Sequence, residues 1–267
     1  MLVSDVAKDP SGLQKRVDRF VQSELLILSE FQVLLSAFRS YGKAMIFGGL
    51  IRDLALGHSR DFSSDIDIVV KDIPGEVLAR QLSPYDARLN SFGGFRFQLG
   101  RWGFDVWPYD KTWAFVEGLI GGREIADLLR TTFFNWDAVL FDLETNELIS
   151  KPSYFVDLIS RRLAINLRHT PNELGAAVRA LRLLAQNEVT LTPELAEFLQ
   201  SQISRHGIHR IVDVDSERKS RRWLTVEFVG TVAIALQHHQ MQQPAEPFAL
   251  FDLQQRLPLE LPARRQM

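Results

Sequence analysis

The stretch "AMIFGGLIRDLALGHSRDFSSDIDIVV", Ala44–Val70, limits what this chain can fold into more than any other. A short apolar run turns through Gly48-Gly49 into the amphipathic "LIRDLAL", and "SDIDIVV" then alternates before running apolar. The order reads as strand, glycine turn, helix, strand. The first apolar run is too short for a helix, and alternation passing into β-branched residues is the pattern of a central strand. A strand feeding glycines at a helix N-terminus is one way to hold phosphates: glycine lets the backbone approach closely, and the first helical N–H groups point outward. A plain tight turn accounts for the glycine pair on its own.

The aspartates add chemistry to the turn. Residues two apart on a strand project from one face, so Asp65 and Asp67 point together while Ile66 and Ile68 enter the opposite layer. Two same-face carboxylates repel unless a cation lies between them, and an oxygen-only set favours Mg²⁺ or Mn²⁺. A solvated strand edge is the alternative, and the apolar Ile68-Val69-Val70 that follows argues against it. Asp105, between Phe104 and Val106, is a third acid on an apolar strand, with Asp61 and Asp110 as nearby competitors. Three aspartates beside a phosphate-holding turn make a candidate two-metal site for phosphoryl or nucleotidyl transfer.

Around this stretch the periods are helical in front and mixed behind. Ser11 is read as the cap of a helix that ends at Gly42 after a break near Ser23. "GEVLARQL" is a short helix. "FRFQLGRWGFDVWPY" is a hairpin with strands near Phe95–Leu99 and Phe104–Trp107 around a turn at Gly100-Arg101-Trp102-Gly103, and "AVLFDLETNELIS" is a second. From about Ser153 the period becomes helical: "YFVDLISRRLAINL", "NELGAAVRALRLLAQ", "PELAEFLQSQI" and "RRWLTVEFVGTVAIALQHHQ" read as four helices. After Gln243 the chain is Pro-rich and reads as an extended tail. The histidines at 238 and 239 have no partner ligands in sequence and read as a helix end. Trp102, Trp107, Trp113 and Trp136 read as packing residues rather than base platforms.

The chain has 267 residues and 46 % hydrophobic content, ample for a large core. It has no cysteine, so disulfides, thiolate zinc sites and cysteine nucleophiles are excluded. With no membrane-length apolar run and no signal-like start, a cytoplasmic protein without a membrane partner is the expectation. Charge is uneven: residues 1–150 carry 16 Lys/Arg against 21 Asp/Glu, whereas residues 151–222 carry 12 against 8. The basic middle is compatible with an anionic partner, and equally with helices that carry surface arginines.

Over about 44–107 these residues resemble the nucleotidyltransferase superfamily of DNA polymerase β, and within it the head of class II CCA-adding enzymes and bacterial poly(A) polymerases. That family reads apolar-Gly-Gly-x-Val-Arg-Asp-x-Leu-Leu-Gly and then Asp-x-Asp, which "FGGLIRDLALG" (Phe47–Gly57) and "DID" (Asp65–Asp67) match closely. "NSFGGFRFQLGRWGFDV" (Asn90–Val106) is similar to the glycine-rich segment and hairpin that carry the family's third carboxylate, which gives Asp105 that role. A fainter similarity covers "RTTFFN" (Arg130–Asn135), where the family touches the ribose, and "VDLI" and "VRALRLLA" in the family's neck helices.

The resemblance implies an α/β (mixed α+β) fold: a nucleotidyltransferase head over 1–150 with a small mixed sheet flanked by helices, an all-helical neck over 151–243, and a Pro-rich tail over 244–267. It implies transfer of a nucleoside monophosphate from an NTP to an acceptor hydroxyl, most simply an RNA or tRNA 3′ end, with Mg²⁺ or Mn²⁺ on Asp65, Asp67 and Asp105. Gly48 and Gly49 would hold phosphates, and Arg52, Asp53, Arg130 and Asn135 would support the nucleotide. Arg179 and Arg182, one turn apart, would meet triphosphate or RNA, or else solvent. Two departures stand out. The loop from Gly57 to Asp65 is roughly two residues longer than the family's. The base-reading Glu-Asp-x-x-Arg of the neck falls on Asn172, Glu173 and Ala176, which cannot form the same hydrogen bonds. A protein or small-molecule hydroxyl as acceptor, in a toxin or defence setting for instance, is therefore the alternative, and an inactive nucleotide-binding regulatory module is another.

Overall fold

The structure is a computed structural model that describes residues 6–58, 62, 64–217 and 222–250. The chain divides into two compact units, the first ending at Ile159 and the second beginning at Ser160.

The first unit is built on a seven-stranded mixed sheet. Its strands are β1 (Lys43–Phe47), β2 (Ile66–Lys71), β3 (Arg88–Leu89), β4 (Phe95–Leu99), β5 (Trp102–Pro108), β6 (Val139–Asp142) and β7 (Leu148–Ser150), in the order β3-β4-β5-β2-β1-β6-β7. β2 is central, as its apolar run requires, and pairs antiparallel with β1 and parallel with β5. The helices are α1 (Pro10–Phe20), α2 (Ser29–Tyr41), α3 (Gly49–Ala55), α4 (Gly75–Leu82), α5 (Trp113–Val116) and α6 (Tyr154–Ile159).

The N-terminal helix breaks as expected, through a π turn at Val21–Leu25. Its cap differs from the sequence reading. Asp9, not Ser11, accepts the Gly12 N–H at 2.8 Å, and Pro10 takes the first helical position, where its missing donor costs nothing. Gly42 ends α2 for a steric reason, since a Cβ there would run into the Lys71 carbonyl.

The two faces of the sheet have different fates. Ile46, Ile68, Phe104 and Val106 are buried. Aromatic contacts tie this layer to the helices: Phe104 stacks on Phe31 of α2 at 5.6 Å, and Trp102 meets Phe20 of α1 at 5.2 Å. Each such fully buried side chain contributes roughly 1.5–3 kcal/mol. On the other face Met45, Phe47 and Val69 form a second core with Leu128, Leu129 and Leu140, and Trp107 packs against it. That core covers one end of the face. The other end carries the acids.

In the second unit the helices are α7 (Glu173–Gln186), α8 (Pro193–His206), α9 (Ile208–Glu217) and α10 (Val226–Gln242). The all-helical expectation fails in one respect. β8 (Arg162–Leu163), β9 (Thr190–Leu191) and β10 (Phe248–Ala249) form a small sheet. The expected helix over "YFVDLISRRLAINL" stops at Ile159, and the positive φ of Arg161 (58°) turns the chain into β8. The start of the Pro-rich tail is tucked in, with Phe248 fully buried against the His239 ring at 5.4 Å. α9 has no counterpart among the four expected helices.

Among the described residues, no single helix is long and apolar enough to cross a membrane.

Candidate active site

The sheet register brings the three acids onto one face. Parallel pairing sets Asp67 of β2 level with Asp105 of β5. Asp65 precedes β2 by one residue, and along the strand the partly exposed Asp65 and Asp67 alternate with buried Ile66 and Ile68. β5 alternates in the same way, with Phe104 and Val106 inside and Asp105 on the partly exposed face. Gly103, next to Asp65 across the pair, makes room for it: a Cβ at Gly103 would run into Asp65 Oδ1. The competitor Asp110 lies in a 3₁₀ turn after β5, and Asp61 lies outside the described residues.

One arginine that the sequence reading passed over stands among these acids. β4 and β5 join through a two-residue turn at Gly100-Arg101, so Arg96 pairs with Asp105. The Arg96 guanidinium donates to Asp105 Oδ2 at 2.9 Å and reaches Asp65 Oδ2 at 3.4 Å. The other Asp105 oxygen accepts from Asn90 Nδ2 at 3.0 Å, while Asn90 Oδ1 accepts the N–H groups of Phe92 and Gly94, each at 2.9 Å. Burial pushes the Asp105 carboxyl above its ordinary value, and the charge of Asp65 adds to that, against the opposing pull of Arg96 and Asn90. The signal for Arg96 was present in the alternating "FRFQL". A four-residue turn at 100–103 slips the register by two and hides it.

Gly48-Gly49 lies at the C-terminal end of β1, beside the start of β2. Gly48 has φ 69° and ψ −109°, a conformation open to glycine and strained for other residues, and its N–H donates to the Val139 carbonyl at 3.0 Å. α3 starts at Gly49.

Arg52 is turned inward. Its Nε donates to Asp53 at 2.8 Å and its NH1 to Asp137 at 2.5 Å, which ties α3 to the 3₁₀ turn Asn135–Asp137. Burial alone would lower the Arg52 pKa, but the two carboxylates hold it above the ordinary value. Asn135 opens that turn and is half-buried. Arg130 ends the 3₁₀ segment Ile125–Arg130, more than half exposed, with Asp127 at 3.8 Å.

Arg179 and Arg182 lie on α7 in the second unit. The Arg182 guanidinium is committed to Asp215, donating to its side chain and to its carbonyl at 3.1 Å. Asp215 also accepts the N–H groups of Trp223 and Leu224 at 3.0 and 3.1 Å. Asn172 caps α7 by accepting the Gly175 N–H at 2.8 Å, Glu173 meets Arg205 at 3.2 Å, and Ala176 is buried.

Among the described residues, no three His, Cys, Asp or Glu side chains are gathered closely enough to hold an ion. The donor set nevertheless fits a hard divalent cation. It is all carboxylate oxygen, and a cationic group already stands between Asp65 and Asp105 in the form of Arg96.

The fold is that of class II CCA-adding enzymes and tRNA nucleotidyltransferases, at low sequence identity. A Thermotoga maritima CCA-adding enzyme complexed with tRNA superposes with a TM-score of 0.56 at 16 % identity, over 94 % of this chain and 60 % of that one. A CCA-adding enzyme in complex with ATP gives 0.54 at 18 %, over 85 % and 52 %. A tRNA nucleotidyltransferase complexed with a primer tRNA and an incoming ATP analog gives 0.52 at 17 %, over 78 % and 61 %. The chain thus spans between half and three-fifths of the length of these proteins. No protein-family model and no curated protein sequence matches it.

Proposed function

We propose that this protein is a metal-dependent nucleotidyltransferase that moves a nucleoside monophosphate from an NTP to an acceptor hydroxyl. The observation that carries this reading is the level pairing of Asp67 with Asp105 on parallel neighbouring strands, with Asp65 beside them on the same face. Asp65, Asp67 and Asp105 would hold Mg²⁺ or Mn²⁺, which when bound would acidify the attacking hydroxyl and neutralise triphosphate charge. Asp105, level with Asp67 across the pair, is the acid that would help activate the hydroxyl, through the metal or as a direct proton acceptor. The acceptor oxygen bonds to the α-phosphorus, the α–β bridging bond breaks, and pyrophosphate leaves. Gly48 and Gly49 let the phosphates approach the backbone. Arg52 acts from beneath by holding α3 against the Asp137 turn, which Asn135 opens, and Arg130 ends the 3₁₀ segment before it. Arg182 acts within the second unit, where it holds Asp215.

An RNA 3′ end is the acceptor we favour, because similar folds have been solved with tRNA and because residues 151–222 are net basic. One observation favours a protein or small-molecule hydroxyl instead. Asn172, Glu173 and Ala176 are engaged in capping, ion pairing and packing, so they do not form a base-reading pair. The test is incubation with Mg²⁺ and each α-labelled NTP in turn, with total RNA added, beside an Asp65→Asn/Asp67→Asn control. Label on RNA that the control loses supports the first acceptor. Label on protein or on a small metabolite supports the second. Nucleotide binding with no label anywhere leaves a regulatory module.

A further inference from the structure

We propose that Arg96 is a tethered counter-cation that competes with the divalent ion for Asp65 and Asp105 and passes to the nucleotide phosphates when metal and NTP arrive together. The inference rests on the nucleotidyltransferase reading and adds a residue to it.

Three observations lead there. First, the Arg96 guanidinium spans the two carboxylates from which an ion would be held, at 2.9 Å from Asp105 and 3.4 Å from Asp65, with the charge of Asp67 also acting on it. Second, both Asp105 oxygens are already engaged, one by Arg96 and one by Asn90. A metal that uses Oδ2 therefore has to displace the arginine rather than join it. Third, the two ends of this contact differ. The Asp105 side chain is 14 % exposed and fixed in the sheet, whereas the Arg96 side chain is 61 % exposed. An exposed arginine held by a solvent-open ion pair is weakly retained and has a long flexible stem on which to swing.

Charge balance gives the direction of the exchange. A bare divalent ion entering the site faces a resident guanidinium and must expel it into water. A metal–NTP complex brings anionic phosphate with it, so the carboxylates gain the metal while the guanidinium gains a phosphate, which its planar fork suits. Arg96 thereby penalises metal alone and favours metal with nucleotide. The site is held in a charge-neutralised state until the substrate is present.

The test uses the full chain and reads Mn²⁺ binding by electron paramagnetic resonance, with and without a non-hydrolysable NTP analogue. It compares wild type with Arg96→Ala, Arg96→Gln and Asp65→Asn/Asp67→Asn. Arg96→Ala and Arg96→Gln are expected to bind Mn²⁺ alone about two- to five-fold more tightly than wild type, the range set by an exposed ion pair. The factor by which the analogue raises Mn²⁺ affinity is expected to shrink in both. If wild type binds Mn²⁺, Asp65→Asn/Asp67→Asn loses it and neither Arg96 variant changes either quantity, the proposal on Arg96 fails and the site reading stands. If Mn²⁺ binds equally to wild type and to Asp65→Asn/Asp67→Asn, or to neither, the site reading fails and the proposal with it.

Discussion

Asp67 and Asp105 face the same way from two parallel strands, paired residue to residue in the sheet. They come from segments separated by two further strands and a helix in sequence, and only the parallel β2–β5 contact makes them neighbours. Like charges directly opposite one another on a sheet cost stability, so the pair is a liability unless something cationic sits against it. Arg96 does so at Asp105 in the structure.

Asp105→Asn is expected to lower nucleotidyl transfer on the order of a hundredfold or more, the scale of losing a positioned proton acceptor. Thermal stability should fall by about 1–3 kcal/mol, because both Asp105 oxygens accept and the amide N–H2 of an asparagine there would face a donor on Arg96 or Asn90. Turnover of α-labelled NTP and a melting curve on the same sample check both halves. Unchanged turnover would remove Asp105 from the site.

Gly103→Ala tests the geometry without touching an acid. The added Cβ occupies the place of Asp65 Oδ1, so the carboxylate must rotate away from the shared face. Transfer should fall at least as far as in Asp65→Asn alone, while the β4–β5 hairpin persists as read by circular dichroism. Full activity would mean that Asp65 is not needed where the structure holds it.

Arg52→Ala is expected to be a stability variant first. It leaves Asp53 and Asp137 without their shared partner at side-chain exposures of 19 % and 8 %. Breaking one side of such a buried pair costs about 3–5 kcal/mol, and Arg52→Lys should recover only part of that because the fork that reaches both acids is gone. Urea unfolding gives the difference. A loss below about 1 kcal/mol would show that the cluster contributes no more than a surface pair.

Tyr109 supplies an alkaline signature. Burial, followed by the charges of Asp127 and Glu124, pushes its phenol from 10.0 up to about 12. The folded state therefore favours the neutral phenol. Its contribution is fully present below pH 10, where the unfolded phenol is also neutral, and is lost as pH rises toward about 12. Tyr109→Phe should be less stable near neutrality by about 0.5–1.5 kcal/mol, having lost the 2.6 Å bond to the Glu124 carbonyl. Its stability should also decline less steeply above pH 10. Parallel alkaline profiles for the two proteins would contradict this account.

How much of the protein was legible in advance depends on the range of the interactions that decide each feature. The strand at "AMIF", the glycine turn, the helix after it and the alternation of "DIDI" follow from neighbours two to four residues away, because side-chain period and backbone freedom are local properties. The same holds for the break in the N-terminal helix and for the central position of β2. Some local features were misread: the cap at Asp9, where proline displaces the start by two residues, and the hairpin turn, which takes two residues rather than four. The helix that stops at Ile159 was another, and α9 and the small second sheet were unforeseen.

What the sequence by itself determined, then, is the strand, glycine turn, helix and strand of Ala44–Val70, most of the helices around them, and that Asp65 and Asp67 share a face. Tertiary structure alone decided that Asp105 lies beside Asp67, that Arg96 stands between Asp105 and Asp65, and that Arg52 finds Asp137 across 85 residues. It also decided that Arg182 is spent on Asp215, 33 residues on. These pairings depend on strand order and on a register that must bury Ile68, Phe104 and Val106 together. A slip of β2 by one residue would turn Asp65 and Asp67 into the core. No local pattern encodes that choice, because it is made by the packing of both sheet faces at once.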